Sequence, residues 1–266
     1  MGGDAAGDAV AQFDSAITLA KDSVRILYLA EIGKGRALLA LGQFSQAAAA
    51  VSTVPDGYQY IETYQSVQDN GVVFNFGAFA PTSPNTYYTV ADREGGTGLD
   101  YLSSNDPRTA TMVVETNQYS MPDYFASKYA TDGSSPVVLA DWIEARLIEA
   151  EGSLAAGQVG NWLNTINHLR ETAITPALAD TTDPGSTEAR VDLLFRERAF
   201  WLFLTGHRLG DMRRLVRQYG RVSTTVFPIG IYAGGAGAYG TAMNAPVPAA
   251  EFVGNPKFTG CINRGA

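Results

Sequence analysis

A chain of 266 residues, 45% hydrophobic and 17% charged, is long and apolar enough to bury a core, which excludes a disordered protein. A formal net charge of −8 argues against nucleic acid as the main partner, because phosphate recognition needs a basic face. One cysteine, Cys261, rules out an internal disulfide or a cysteine-clustered zinc site, and two histidines, His168 and His207, argue against a histidine-rich one.

The first third reads as helical. Val10, Phe13, Ile17 and Leu19-Ala20 recur at helical spacing from about Asp8 to Lys21. A second helix is predicted from about Val24 to Leu41, with Ile26, Leu27, Leu29 and Leu38-Leu39 on its apolar face. Gly42 stops it, and QFSQAAAAVSTV starts another that Pro55-Asp56-Gly57 ends. This turn has an echo: LALGQFSQAAAAVSTV (39–54) aligns with LAAGQVGNWLNTINHL (154–169), matching Leu39 with Leu154, Gly42-Gln43 with Gly157-Gln158 and Val51 with Ile166. An apolar, small, Gly, polar sequence leading into an apolar helix is the pattern of a tetratricopeptide-like helix pair.

Residues 56–136 change character, mixing short apolar runs with Asn, Gly and Pro, and are predicted to be an irregular insertion with a few short strands. Tyrosine is dense here. Aromatic faces stack on sugars and offer a hydroxyl, but they also pack irregular segments poor in Leu and Ile, and both readings stay open. Helices are predicted to resume at Val137-Leu139 and to fill 137–221, with a Pro/Gly/Asp-rich break at TTDPGSTEAR. A Gly- and Pro-rich tail, 222–266, reads as extended. The whole chain, 1–266, is predicted to be one domain.

No apolar run approaches the ~20 residues that cross a bilayer. The start, MGGDAAGD, has neither the charged nor the apolar part of a signal peptide. GAGAYG (235–240) has the letters of a dinucleotide fingerprint, but Pro246 and Pro248 follow where a helix would have to open. Among the carboxylates, Glu144, Glu149 and Glu151 fall on one helix and Asp92, Glu94 and Asp100 in the insertion. Nothing in their spacing separates an acid from a base, and the helical set reads as a solvated face. No serine or cysteine nucleophile stands in a recognisable elbow. The sequence offers no catalytic constellation, and no cofactor is expected.

The stretch ERAFWLFLTGHRLGDMRRLVRQYG (197–220) is the oddity in an acidic chain. It reads as a helix broken at Thr205-Gly206-His207 and resumed. Arginine forks among Trp201, Phe203, Leu204, Leu209 and Leu215 can pair with carboxylates while their stems pack on apolar neighbours. Glu197, Arg198, Gly206, Arg208, Asp211 and Arg214 are therefore predicted to form a structural clamp across a bend, rather than a basic ligand patch.

The chain resembles the SusD/RagB family of nutrient-binding outer-membrane lipoproteins. The resemblance rests on Glu149-Ala150-Glu151, Asn167 and Arg170, Glu197-Arg198, Gly206-His207-Arg208, Asp211-Met212-Arg213-Arg214, Asp106-Pro107-Arg108, and a tail with Pro246-Val247-Pro248, Glu251 and Asn255-Pro256. These run in the family's order across roughly residues 8–258. Three departures stand out. Thr205 occupies the place where the family usually has Glu before the Gly, which would remove one ion-pair partner from the clamp. Neither lipoprotein cysteine nor signal sequence is present. Family members are usually longer at the N-terminus, so a short or N-terminally truncated member is expected.

The resemblance implies binding rather than catalysis. Such proteins hold oligosaccharides, or sometimes peptides, at the cell surface over a SusC-like TonB-dependent transporter. A tetratricopeptide-like scaffold carries the irregular ligand-binding part, and a lipid anchor that this sequence does not contain makes the only membrane contact. Ligand residues have no transferable family motif. From this chain's own chemistry, Tyr87, Tyr88, Tyr101 and Tyr124 are expected at the ligand, with Asn85 and Asp100 as hydrogen-bond partners. The alternative is a soluble tetratricopeptide-like scaffold that binds a protein partner.

Overall fold

A computed structural model describes residues 5–64, 89–116, 122–129, 134–232, 237–244 and 253–258. Three helices open the chain: α1 (Ala5–Leu19), α2 (Val24–Ala40) and α3 (Phe44–Val51). The short strand β1 (Gln59–Glu62) follows, then β2 (Thr111–Thr116), β3 (Pro122–Ala126) and β4 (Val137–Asp141). The second helical group is α4 (Trp142–Ala155), α5 (Val159–Thr172), α6 (Thr187–Trp201) and α7 (Arg208–Arg217), with a single turn, α8 (Ser223–Val226), behind it. The architecture is mainly helical, a tetratricopeptide-like scaffold carrying a small β insertion.

The echoed turns fold alike, for a reason visible in the backbone. Gly42 (φ 72°) and Gly157 (φ 73°) both take the left-handed conformation that stops a helix. In the first turn the Gly42 and Gln43 amides donate to Leu39 O and Leu38 O. In the second, the Gly157 and Gln158 amides donate to Leu154 O and Ser153 O. Each pair of bonds satisfies carbonyls that the helix end leaves open. The chain reverses, and α3 then lies against both α2 and α4. At Gly152 a Cβ would stand 2.7 Å from Ala48 Cβ, so the α3–α4 crossing requires glycine there.

These helices share one core. Ile32, Leu38, Ala47 and Val51 from the first group meet Leu147, Ile148, Trp162, Ile166, Leu169 and Leu194 from the second, all almost wholly buried. Among the described residues no helix is long and apolar enough to cross a membrane.

Two predictions about boundaries are corrected. Val137–Asp141 is a strand rather than the start of a helix, because it pairs antiparallel with β1. The Asp141 side chain then accepts the Glu144 amide at 2.9 Å and caps α4. The tail is not wholly a surface segment, since Val226 and Phe227 are buried in the main core. In the Gly-rich stretch, Ile231 bridges Ala238 antiparallel, so the described part, 237–240, opens no helix.

A second, smaller core cluster lies at the insertion. Val90, Ala126 and Phe203 are buried there, with Tyr101, Leu102, Tyr124 and Tyr129 packed around them. β2 and β3 form its hairpin. The Val90 amide donates to Tyr124 O at 2.9 Å, and the Tyr124 amide donates to the Thr89 hydroxyl at 2.8 Å. Residues 89 and 90 are thereby held along β3.

Candidate functional site

Helix α6 ends at Trp201, the chain turns through 202–207, and α7 begins at Arg208. Gly206 takes φ 85° at this bend, where any other residue would be strained. On the inner side, Arg198 grips Asp211 through two nitrogens at 2.9 and 3.1 Å. Arg214 donates to Asp211 at 2.8 Å and to both oxygens of Glu151, to Oε2 at 3.0 Å. The Tyr219 hydroxyl donates to Glu151 Oε1 at 2.6 Å. Burial alone would raise the Asp211 pKa, but the Arg198 and Arg214 charges outweigh it and hold the group at about 2. This network ties α4, α6 and α7 together.

Glu197 faces the other way and takes three donors: Arg108 at 2.5 Å, Arg170 at 2.6 Å and the Trp201 indole at 3.1 Å. Arg108 also forms a two-point pair with Asp106 at 2.9 and 2.7 Å, and its guanidinium lies 4.8 Å from the Trp201 ring centroid. The Asp106-Pro107-Arg108 turn of the insertion is therefore plugged into α6.

The helical carboxylates are not the solvated face that the sequence suggests. Glu144 and Glu151 are buried because each meets arginine. Arg36 binds Glu144 at 2.5 Å through two nitrogens, and His207 Nε2 lies 2.9 Å from Glu144 Oε1. Burial pushes the Glu144 pKa up, yet Arg36 and His207 bring it down to about 2. Thr205 completes this arm, its hydroxyl 2.8 Å from His207 Nδ1.

Arg208 stands outside the clamp. Among the described residues its guanidinium has no hydrogen-bond or ion-pair partner, and Asp211 is already taken by Arg198 and Arg214. It lies instead in the wall of a cavity of about 330 Å³ beside the bend. Leu202, Phe203, Leu204 and Leu209 form much of this wall, with Val90, Ala91 and Tyr101 opposite and Thr89 and Glu94 adding polar groups. A largely apolar concavity with a few polar groups is the usual form of a small-ligand site.

The predicted ligand residues divide. Tyr101 lines the cavity, and its ring also packs 5.4 Å from Phe200 and 5.0 Å from Phe203, centroid to centroid. It is at once core and wall, and its hydroxyl has no protein partner among the described residues. Burial raises the Tyr101 pKa, against the lowering influence of the Arg208 charge. Tyr124 supports the wall through its backbone and packs in the small cluster. Asp100 is already engaged, held by Arg196 at 2.5 and 3.3 Å, and this pairing lowers its pKa. Asn85, Tyr87 and Tyr88 lie outside the described residues, directly before Thr89 in the wall. Sequence reasoning missed Phe203, Leu209 and Thr89 as lining residues. The only signal was the bend itself, which turns apolar residues at the end of one helix toward those at the start of the next.

No match to the chain is found among curated proteins or among solved structures. The model of the SusD family matches residues 64–255, more than half the chain and the span containing most of the insertion, the clamp and the cavity, so the chain belongs to the SusD family.

Proposed function

We propose that the protein captures a nutrient oligosaccharide at the outer-membrane surface and hands it to a SusC-like TonB-dependent transporter, without chemistry of its own. Family membership supports the setting. The observation that carries the binding reading is the cavity at the α6–α7 bend, where the Tyr101 hydroxyl and the Arg208 guanidinium are both free of protein partners among the described residues. A folded protein tends to pair its partly buried polar groups, and those left open in a concave wall are available to a ligand. Tyr87, Tyr88 and Asn85, shortly before Thr89 in sequence, are proposed as further ligand contacts, and the helical scaffold is proposed to face the transporter.

Titration calorimetry of the chain against oligosaccharides and short peptides tests the proposal. Saturable binding of an oligosaccharide is expected, and Leu209→Trp, which fills the cavity from an exposed position, is expected to abolish it without lowering Tm. Binding of peptides alone, or sugar binding that Leu209→Trp leaves unchanged, would overturn the assignment.

A further inference from the structure

Most arginines around the bend are matched to carboxylates, Arg213, whose Nε is buried without a partner among the described residues, being an exception that lines neither the aromatic cavity nor the one beside it. Arg190 holds Asp183, Arg196 holds Asp100, Arg198 and Arg214 share Asp211, and Arg221 holds Asp192. Arg208 is half-buried and, among the described residues, has no such partner, although the chain carries a net charge of −8. Its position adds to the contrast. Arg208 lines both the aromatic cavity and a second one of about 320 Å³, in which it is joined by Arg196 and Arg221. Asp192 is the sole carboxylate lining that second cavity. Arg196 is paired with Asp100 and Arg221 with Asp192; in the aromatic cavity Asp211 is taken by Arg198 and Arg214, and Glu94 forms no ion pair with Arg208, so this guanidinium is left unbridged where the two cavities meet.

A guanidinium presents two parallel N–H groups that fit both oxygens of a carboxylate, and partial burial strengthens the pairing by excluding water. The neighbouring wall, Tyr101 with Phe203 and Leu209, offers apolar area and a hydroxyl to the body of the same ligand. We infer that Arg208 is the anchor for the carboxylate of an acidic sugar, so that the cavity selects uronic-acid oligosaccharides over neutral ones. The inference rests on the reading of this cavity as an oligosaccharide site and adds its substrate class.

The test uses trigalacturonic acid and its fully methyl-esterified form, which keeps the ring shapes and removes the charge. The acid is expected to bind the chain at least about 10-fold more tightly than the ester, in line with a charge-assisted hydrogen-bonded pair. Added salt is expected to reduce this advantage. Arg208→Gln is expected to bring the acid down to the affinity of the ester and to leave Tm unchanged, and Arg208→Lys to restore part of the difference. Equal affinity for acid and ester would overturn the inference and leave the oligosaccharide reading intact. The same holds if neutral oligosaccharides bind and trigalacturonic acid does not. Failure of every sugar to bind a cooperatively melting chain would overturn both.

Discussion

The two sides of the α6–α7 bend use arginine in opposite ways. On the inner side Arg198 and Arg214 are buried against Asp211 and Glu151, each charge facing its opposite at hydrogen-bond distance. On the outer side, ten residues after Arg198, Arg208 lines a cavity whose carboxylates, Glu94 and Asp211, form no ion pair with it. The contrast shows that the role of a guanidinium follows from what the surrounding fold supplies to it. Where carboxylates come from other helices, arginine fastens the scaffold. Where none bonds to it, the same group is, on the reading proposed above, open to an external anion.

The largest effect should come from breaking the inner side. Arg198→Ala takes from the buried Asp211 one of its two arginine partners, and removing one member of a buried pair costs about 3–5 kcal/mol. A fall in Tm of roughly 10 °C is expected by calorimetry for a chain of this length. Arg208→Ala, by contrast, should stay within about 0.5 kcal/mol of the parent. Equal losses in the two variants would erase the distinction between the sides.

An intermediate effect is expected from pH. Asp211 and Glu144 have folded pKa values near 2, below their unfolded values, so the stability they add is complete above about pH 4 and lost as pH falls toward 2. Asp141 opposes them. Burial raises its pKa to about 6, so the folded state binds the extra proton and stability falls as pH rises from about 4 to about 6. A shift of this size corresponds to about 2–3 kcal/mol. Asp141→Asn should keep the cap on α4 while flattening the pH 4–6 slope in denaturant titrations. An unchanged slope would show that the carboxyl is not titrating there.

The smallest effect belongs to the outer wall. Arg196 and Asp100 are both partly exposed, and such a pair adds only about 0.2–1 kcal/mol. Arg196→Ala should therefore barely move Tm. A loss as large as that of Arg198→Ala would make the outer wall part of the clamp.

Much of the scaffold was legible in the sequence because its signals are local. Gly42 and Gly157 stop helices by a backbone property that no neighbour can alter, so the echo of 39–54 in 154–169 translated directly into matching turns. Val137–Asp141 was misread because an apolar run of that length suits either a strand or a helix, and only pairing with the distant β1 decides. Glu144 and Glu151 looked solvated for the same reason, since Arg36 and Arg214 reach them from far along the chain. In the cavity, tyrosine density did not tell wall from core. The Tyr101 ring serves the core as well as the wall, and Asp100 is held by an arginine that spacing could not nominate. Thr205 stands where the family usually has glutamate, and its hydroxyl lies beside His207 Nδ1, a contact that spacing alone did not indicate.

The plug formed by Arg108 carries a consequence for motion. Arg108 and Glu197 are both almost wholly buried and joined at 2.5 Å, so lifting the Asp106-Pro107-Arg108 turn would break a buried ion pair, although Arg108 would keep Asp106 and Glu197 would keep Arg170. That turn is bound to Tyr101 through the Thr109 hydroxyl, which donates to Tyr101 O at 2.8 Å. The Tyr101 part of the cavity wall is thereby fastened to helix α6, and under the proposed reading a ligand would meet this part of the wall already in place.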